Sequence, residues 1–273
     1  MKDKISLAGD LGSGKSTVAD ILIGYLGAEY YSTGAIVRSI AANRGMSVVE
    51  LNVYMETHPE IDREIDDGLR ALSGVDKFLV IDSRMAWHFT EGTFKVYLSA
   101  DPETSALRIM NANRTGEHSN SLDETVKETK ARRESEKKRY MTQYGVDIKD
   151  LTNYSLVVDT SYATPAEVAS VIIDCFDEWK NKRDLRIAYL CPERILYPDD
   201  SADEELVSYL SARLEKGESV PPVEVIEKDG DFYLKKGLES ALAYSFNMNT
   251  FIPAKIVAGD IGNKVYTKMK NSL

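Results

Sequence analysis

Short apolar runs and helix-spaced apolar positions take turns along the first 180 residues. The pattern predicts strands over 4–9, 78–82, 94–98 and 156–159, with helices over 15–26 and 166–179. Strands that alternate with helices and read as nearly continuous apolar runs form a parallel sheet covered on its faces, so the expected class is three-layer α/β/α. Beyond the polar stretch Asn181-Lys182-Arg183-Asp184 the character changes. A strand-like run at 186–189, an amphipathic helix over 203–216, Pro221-Pro222 and a hairpin signal at Lys228-Asp229-Gly230-Asp231 predict a small α+β unit. The expected division is therefore 1–180 and 186–273.

Composition narrows the function classes. A chain of 273 residues, 43% hydrophobic and 29% charged, has the balance of a globular protein with a substantial core. Its net charge of −10 argues against general nucleic-acid binding, which needs a basic face. No apolar run approaches the roughly twenty residues of a membrane span, and charged residues follow Met1 directly, so a cytoplasmic protein with no membrane partner is expected. Cys175 and Cys191 form no metal-ligand spacing with the histidines and are read as buried thiols. His58, His88 and His118 are given structural roles.

The segment Gly9-Asp10-Leu11-Gly12-Ser13-Gly14-Lys15-Ser16 satisfies G-x-x-x-x-G-K-[ST] between an expected strand and an expected helix. Gly9, Gly12 and Gly14 let the backbone fold tightly enough for N–H groups, Ser13 among the residues supplying them, to converge on a polyphosphate at a helix N-terminus. Lys15 would reach the β- and γ-phosphates of ATP, Ser16 would ligate Mg²⁺, and Thr17 would stand behind them.

Three further segments suit a phosphoryl acceptor. Ser32 or Thr33 can cap a helix, with Gly34 and Arg38 near the same end. The strand over 78–82 ends Asp82-Ser83-Arg84 at the carboxyl edge of the sheet. There Asp82 can take Mg²⁺ through water or accept from substrate, and Arg84 can grip a phosphate. In the charged run 123–140, Arg132, Glu136 and Arg139 share one helix face, so the glutamate can hold two arginines apart on a lid spanning about 111–145.

Taken in order, GDLGSGKST, YSTGAIVRSIAANRGMSVVELN, HPEIDREID, VIDSRMAW, FKVYLSA, the stretch from RRESEKKRY to VVDTS, and TPAEVASVI resemble the cytidylate kinases, especially their short archaeal-type branch, over nearly all of 1–180. The resemblance implies a P-loop kinase moving the γ-phosphate of ATP to CMP or dCMP with Mg²⁺. It implies that Ser32, Gly34 and Arg38 belong to the monophosphate site, Arg84 to the acceptor phosphate, Arg132 and Arg139 to the lid, and Asp159 to the position after it. Two departures stand out: Asp82-Ser83-Arg84 replaces the branch's Glu-Gly-Arg, which could narrow the pocket, and Asp10 puts a carboxylate inside the loop, near the phosphates or facing solvent. Rival readings are a kinase for another small acceptor and a nucleotide sensor with little turnover.

Residues 186–262 more faintly resemble the ParB/sulfiredoxin-like fold. The basic signature expected after the hairpin is replaced by Gly237-Leu238-Glu239-Ser240. A glutamate at that helix start repels phosphate, so the unit is expected not to bind DNA and to serve oligomerisation or a protein partner, with a regulatory nucleotide as the alternative.

Overall fold

A computed structural model describes residues 3–111, 121–182, 184–262 and 264–268. Its first part runs β1 (Lys4–Gly9), α1 (Lys15–Leu26), β2 (Glu29–Ser32), α2 (Thr33–Asn43), α3 (Val48–Met55), α4 (Pro59–Ala71), β3 (Leu79–Asp82), α5 (Ala86–Phe89), β4 (Thr93–Ser99), α6 (Pro102–Asn111), α7 (Leu122–Tyr144), β5 (Leu156–Asp159) and α8 (Pro165–Lys182). The extension adds β6 (Ile187–Leu190), β7 (Ile195–Pro198), α9 (Glu204–Glu215), β8 (Val223–Lys228), β9 (Asp231–Lys236), α10 (Leu238–Phe246), β10 (Ile252–Ile256) and β11 (Tyr266–Lys268).

Strands β2, β3, β1, β4 and β5 lie side by side and parallel, in that order. The sheet does not stop at β5. Strand β6 joins it in parallel, β10 pairs antiparallel with β6, and the order continues through β8, β9 and β7 to β11. The sheet therefore runs on from the first segment into the extension. The physical reason is edge protection: β5 is buried at all four positions, and pairing with β6 satisfies its outer N–H and C=O groups.

Strand β1 is buried along its whole length. On one face, Ile5, Leu7, Phe94 and Val96 pack under Val18 and Leu22 of α1 and under Ile172, Phe176 and Trp179 of α8. On the other, Ala8, Trp87, Tyr97 and Tyr154 share a core with Val223, Val225, Phe232, Leu234 and Ile252 of the extension. Both faces are covered, and the extension supplies part of one cover. The expected hairpin is present: β8 and β9 are joined by Asp229 and Gly230, both at positive φ (56° and 91°), as a two-residue turn between twisted strands requires.

Both thiols are buried, and burial pushes Cys175 up to about 12. His58 stacks on Tyr54 and His88 lies edge-on to Trp87 and Phe89. His118 falls outside the described residues, as does the 112–120 portion of the expected lid.

Candidate active site

The loop between β1 and α1 has its shape for two reasons. Gly9 (φ 151°) and Gly12 (φ 75°) occupy conformations L side chains rarely adopt, and a Cβ on either would lie 2.4 Å from a carbonyl oxygen, Leu98 O and Ser105 O respectively. Gly14 (φ 80°) opens α1 with no side-chain cap, which leaves the helix start to an anion. Ser13 Oγ donates to Asp10 O at 2.8 Å and ties the loop to itself. Lys15 Nζ arches back to Asp10 O (2.7 Å) and Gly9 O (3.2 Å). Burial depresses its pKa to about 8, against the opposing pull of Asp82 and Asp10.

A cavity of about 500 Å³ brings Gly12, Gly14, Lys15 and Ser16 together with Ser32, Gly34, Arg38, Asp82, Arg84, Arg132 and Arg139. Gly9 and Ser13 shape the loop, and Thr17 is exposed on α1 outside the cavity lining. Ser32 caps α2, accepting from Ala35 N at 3.3 Å. A Cβ on Gly34 would stand 3.4 Å from Arg38 Nη1, so the glycine gives that arginine room over the helix start. Asp82 accepts from Tyr30 Oη at 3.0 Å, and burial together with that carboxylate pushes the phenol up to about 12.

Helix α7, expected to act as a lid, differs from expectation in one pairing. Glu136 holds Arg132 (Nε–Oε1 3.2 Å), but its other oxygen takes Arg84 (Nε–Oε2 2.5 Å), and Arg84 Nη1 also donates to Gly9 O at 3.2 Å. Burial alone would lower Arg84 and raise Glu136, but their pairing outweighs it and shifts each the other way. Arg139 turns instead to α3 and α4, meeting Asp62 (3.0 Å), Asn52 Oδ1 (3.2 Å) and Asn52 O (3.3 Å). Those helices pack against α7 where Arg139 emerges and supply a nearer carboxylate.

The acids of α4 were missed in the sequence, although HPEIDREID carries the signal: Asp62 and Asp66 stand one turn apart with the apolar residues Ile61, Ile65 and Leu69 around them. Both are buried and line the cavity. Asp66 accepts a short hydrogen bond from Tyr144 Oη, yet burial and neighbouring Asp62 raise it to about 6. A carboxyl raised on folding contributes stability that is present at low pH and lost as pH rises through its folded value. Asp66→Asn should therefore stabilise the protein at pH 7, by on the order of 2 kcal/mol, with the gain fading as pH falls from 6 toward 4. Urea melts at several pH values read this, and a gain independent of pH would mean Asp66 carries its charge without penalty.

Two expectations change, at Asp10 and Asp159. Asp10 neither faces solvent nor presents a bare charge to the cavity: it is buried, accepting from Tyr97 Oη (2.9 Å), Ala100 N (3.0 Å) and Lys149, with Arg133 3.3 Å away. Burial pushes its carboxyl up, but Lys149 and Arg133 prevail and hold it at about 2. Ser83, in the position the branch gives to glycine, accepts from Met85 N at 3.3 Å and lines the cavity. Asp159 does not reach the cavity. It is fully buried at the end of β5, accepting from Ser161 Oγ (2.6 Å) and Ser161 N (3.1 Å), with Arg194 of the extension 3.7 Å away. The extension covers that strand end and makes Asp159 structural.

A larger cavity of about 810 Å³ lies between α7 and the β8–β9 hairpin, on the Asp10 side of the loop. Lys15 and Ser16 line the first cavity and not this one.

Residues 4–162 match the cytidylate kinase-like family. The chain belongs to that family. A cytidylate kinase of Thermoplasma volcanium is 37% identical over 183 residues, 66% of this chain and 94% of its own length. One of Archaeoglobus fulgidus is 36% identical over 182 residues, 66% of this chain and 98% of its own length. Those alignments take in almost the whole relative, so this cytidylate kinase-like chain carries additional sequence beyond what it shares with them. Among solved structures, an Arabidopsis thaliana sulfiredoxin aligns with 27% of this chain and 85% of its own at 29% identity, with a TM-score of 0.25.

Proposed function

We propose that the protein transfers the γ-phosphoryl group of ATP to a nucleoside monophosphate, CMP or dCMP. The observation that carries this reading is a single cavity in which Lys15 and Ser16 of the phosphate loop face Arg84 and Arg132. Two anions can meet there with cations on both sides, the arrangement in-line phosphoryl transfer needs. Lys15 and Arg132 would balance charge on the transferring group, while Arg84 and Arg38 hold the acceptor phosphate. Among the described residues no group of three or more His, Cys, Asp or Glu forms a metal cage. That suits Mg²⁺, which is held by few protein ligands and keeps its waters. Ser16 and Asp82 would hold it, and it would supply charge neutralisation between the phosphates.

Asp62, Asp66 and Asn52 favour cytosine. They place hydrogen-bond acceptors in the acceptor half of the cavity, beside apolar Val48, Met55, Ile65 and Leu69. A carboxylate attracts the amino group of cytosine and repels the carbonyl that uracil has in its place. For the extension we infer a role in completing the sheet. Exposed Leu206 and Tyr209 of α9, with Phe246 and Met248 at the end of α10, favour a protein partner as well.

ADP release with ATP and Mg²⁺ against CMP, dCMP, UMP, AMP and GMP tests the assignment. Turnover confined to CMP and dCMP is expected. Equal turnover with UMP would remove the role given to the α4 acids, and ATP binding without turnover on any acceptor would replace the kinase with a sensor.

A further inference from the structure

Glu136 is 4% exposed and sits at the centre of the cavity's positive charge. One oxygen takes Arg84, which follows β3, and the other takes Arg132 on its own helix, one turn back. Both contacts fall on Nε, the guanidinium nitrogen nearest the side-chain stem. A carboxylate on Nε fixes the plane and direction of a guanidinium, and on Arg84 it acts together with Gly9 O, which takes Nη1.

The two arginines come from different layers. Arg84 also donates to Gly9 O at the start of the phosphate loop, so the chain of contacts runs from loop to Arg84 to Glu136 to Arg132. Without the carboxylate, two half-buried like charges would repel, and the lid arginine would lose its bearing on the loop.

We propose that Glu136 is a positioning residue for phosphoryl transfer, holding Arg84 and Arg132 as an aligned pair across the transferring group. This rests on the kinase reading above. It differs from a placeholder, in which the carboxylate blocks the acceptor phosphate until displaced, and from a structural ion pair with no bearing on turnover.

The test compares wild type, Glu136→Gln, Arg132→Gln and the double variant in ADP release with CMP, alongside melting temperatures and calorimetric binding of CMP. Misaiming Arg132 without removing it should lower kcat by about 10²-fold, while the loosened hold on Arg84 should raise KM for CMP by about 10-fold or less. Because the glutamate acts through Arg132, the double variant should lose much less than the product of the two single losses. Tighter CMP binding by Glu136→Gln with kcat retained would establish the placeholder and overturn the proposal. A lowered melting temperature with unchanged kcat, or fully multiplicative losses, would reduce the contact to a structural ion pair. Should the glutamine variant fail to fold, Glu136→Asp keeps the charge but shortens the reach; it should lose kcat at nearly native melting temperature, and native kcat would overturn the proposal. Wild type that binds CMP without turnover defeats the kinase reading itself, and with it the positioning role.

Discussion

Lys15→Ala should lower kcat for CMP phosphorylation by on the order of 10³-fold, with KM for CMP little changed. The lysine is the one cation of the phosphate loop, and it lies in the same cavity as Arg84 and Arg132. Its ammonium is held against Asp10 O and Gly9 O, so it is already desolvated and aimed before any nucleotide arrives. Charge that develops on the transferring group would meet a donor needing little reorganisation, and such donors act most strongly where water is scarce. The same two hydrogen bonds also brace the loop. Steady-state ADP release should therefore be read beside a melting curve: a large loss of kcat at nearly native melting temperature is the expected result. Turnover within tenfold of wild type would show that the lysine serves the loop's shape and that charge stabilisation comes from elsewhere.

The largest stability effect is expected at Arg194. It is 1% exposed, and its guanidinium meets Asp101 (3.3 Å), Asp159 (3.7 Å) and Asp231 (3.7 Å) and donates to Gly230 O at 2.8 Å. Asp101 in turn accepts from Glu103 N and Thr104 N at the start of α6, and Asp159 holds Ser161, whose Oγ accepts from Asp101 N. One arginine from the extension thus balances the carboxylates that organise the ends of β4 and β5. Removing one partner of a buried ion pair leaves the others uncompensated in a poor solvent for charge, so Arg194→Met should destabilise the protein by about 3–5 kcal/mol. Arg194→Lys should recover only part, because a point charge cannot reproduce the fork. Urea unfolding of the full chain measures this, and a loss below about 1 kcal/mol would mean the carboxylates find other partners or protonate at little cost.

Much of the kinase segment was legible without coordinates because its signals are local. Residues 4–9 form a strand in which Ile5, Leu7 and Ala8 suit the buried interior while Ser6 answers its burial with a hydrogen bond to Thr93 Oγ1, and the glycine spacing that follows reports a backbone that side chains rarely adopt. Ser32 at the start of α2 and the shared face of Arg132 and Arg139 are likewise properties of short stretches. The acids of α4 were within reach as well: two aspartates one turn apart beside isoleucines and a leucine mark a buried carboxylate pair.

Partner choice was not legible. Glu136 has an arginine on each side along its helix, and sequence spacing favours both, yet the second contact goes to Arg84, fifty-two positions earlier in the chain. Arg139 goes to Asp62 for the same reason: the nearest opposite charge is set by which helices the fold stacks. Asp10 shows the effect most plainly. A carboxylate in a phosphate loop reads as a liability until Tyr97, Lys149 and Arg133, scattered over more than fifty residues, are seen to gather on its far side.

By itself the sequence determined the phosphate loop, the alternating strands and helices, the likeness to the cytidylate kinases and the acidic balance of charge. Each depends on residue type and on neighbours within a few turns. Only the tertiary structure decided that the extension continues the same sheet, that Asp159 belongs to Arg194, and that Glu136 joins Arg84 to Arg132. Burial removes the competing water, and a charge then pairs with whatever the fold brings within a few ångströms, irrespective of distance along the chain.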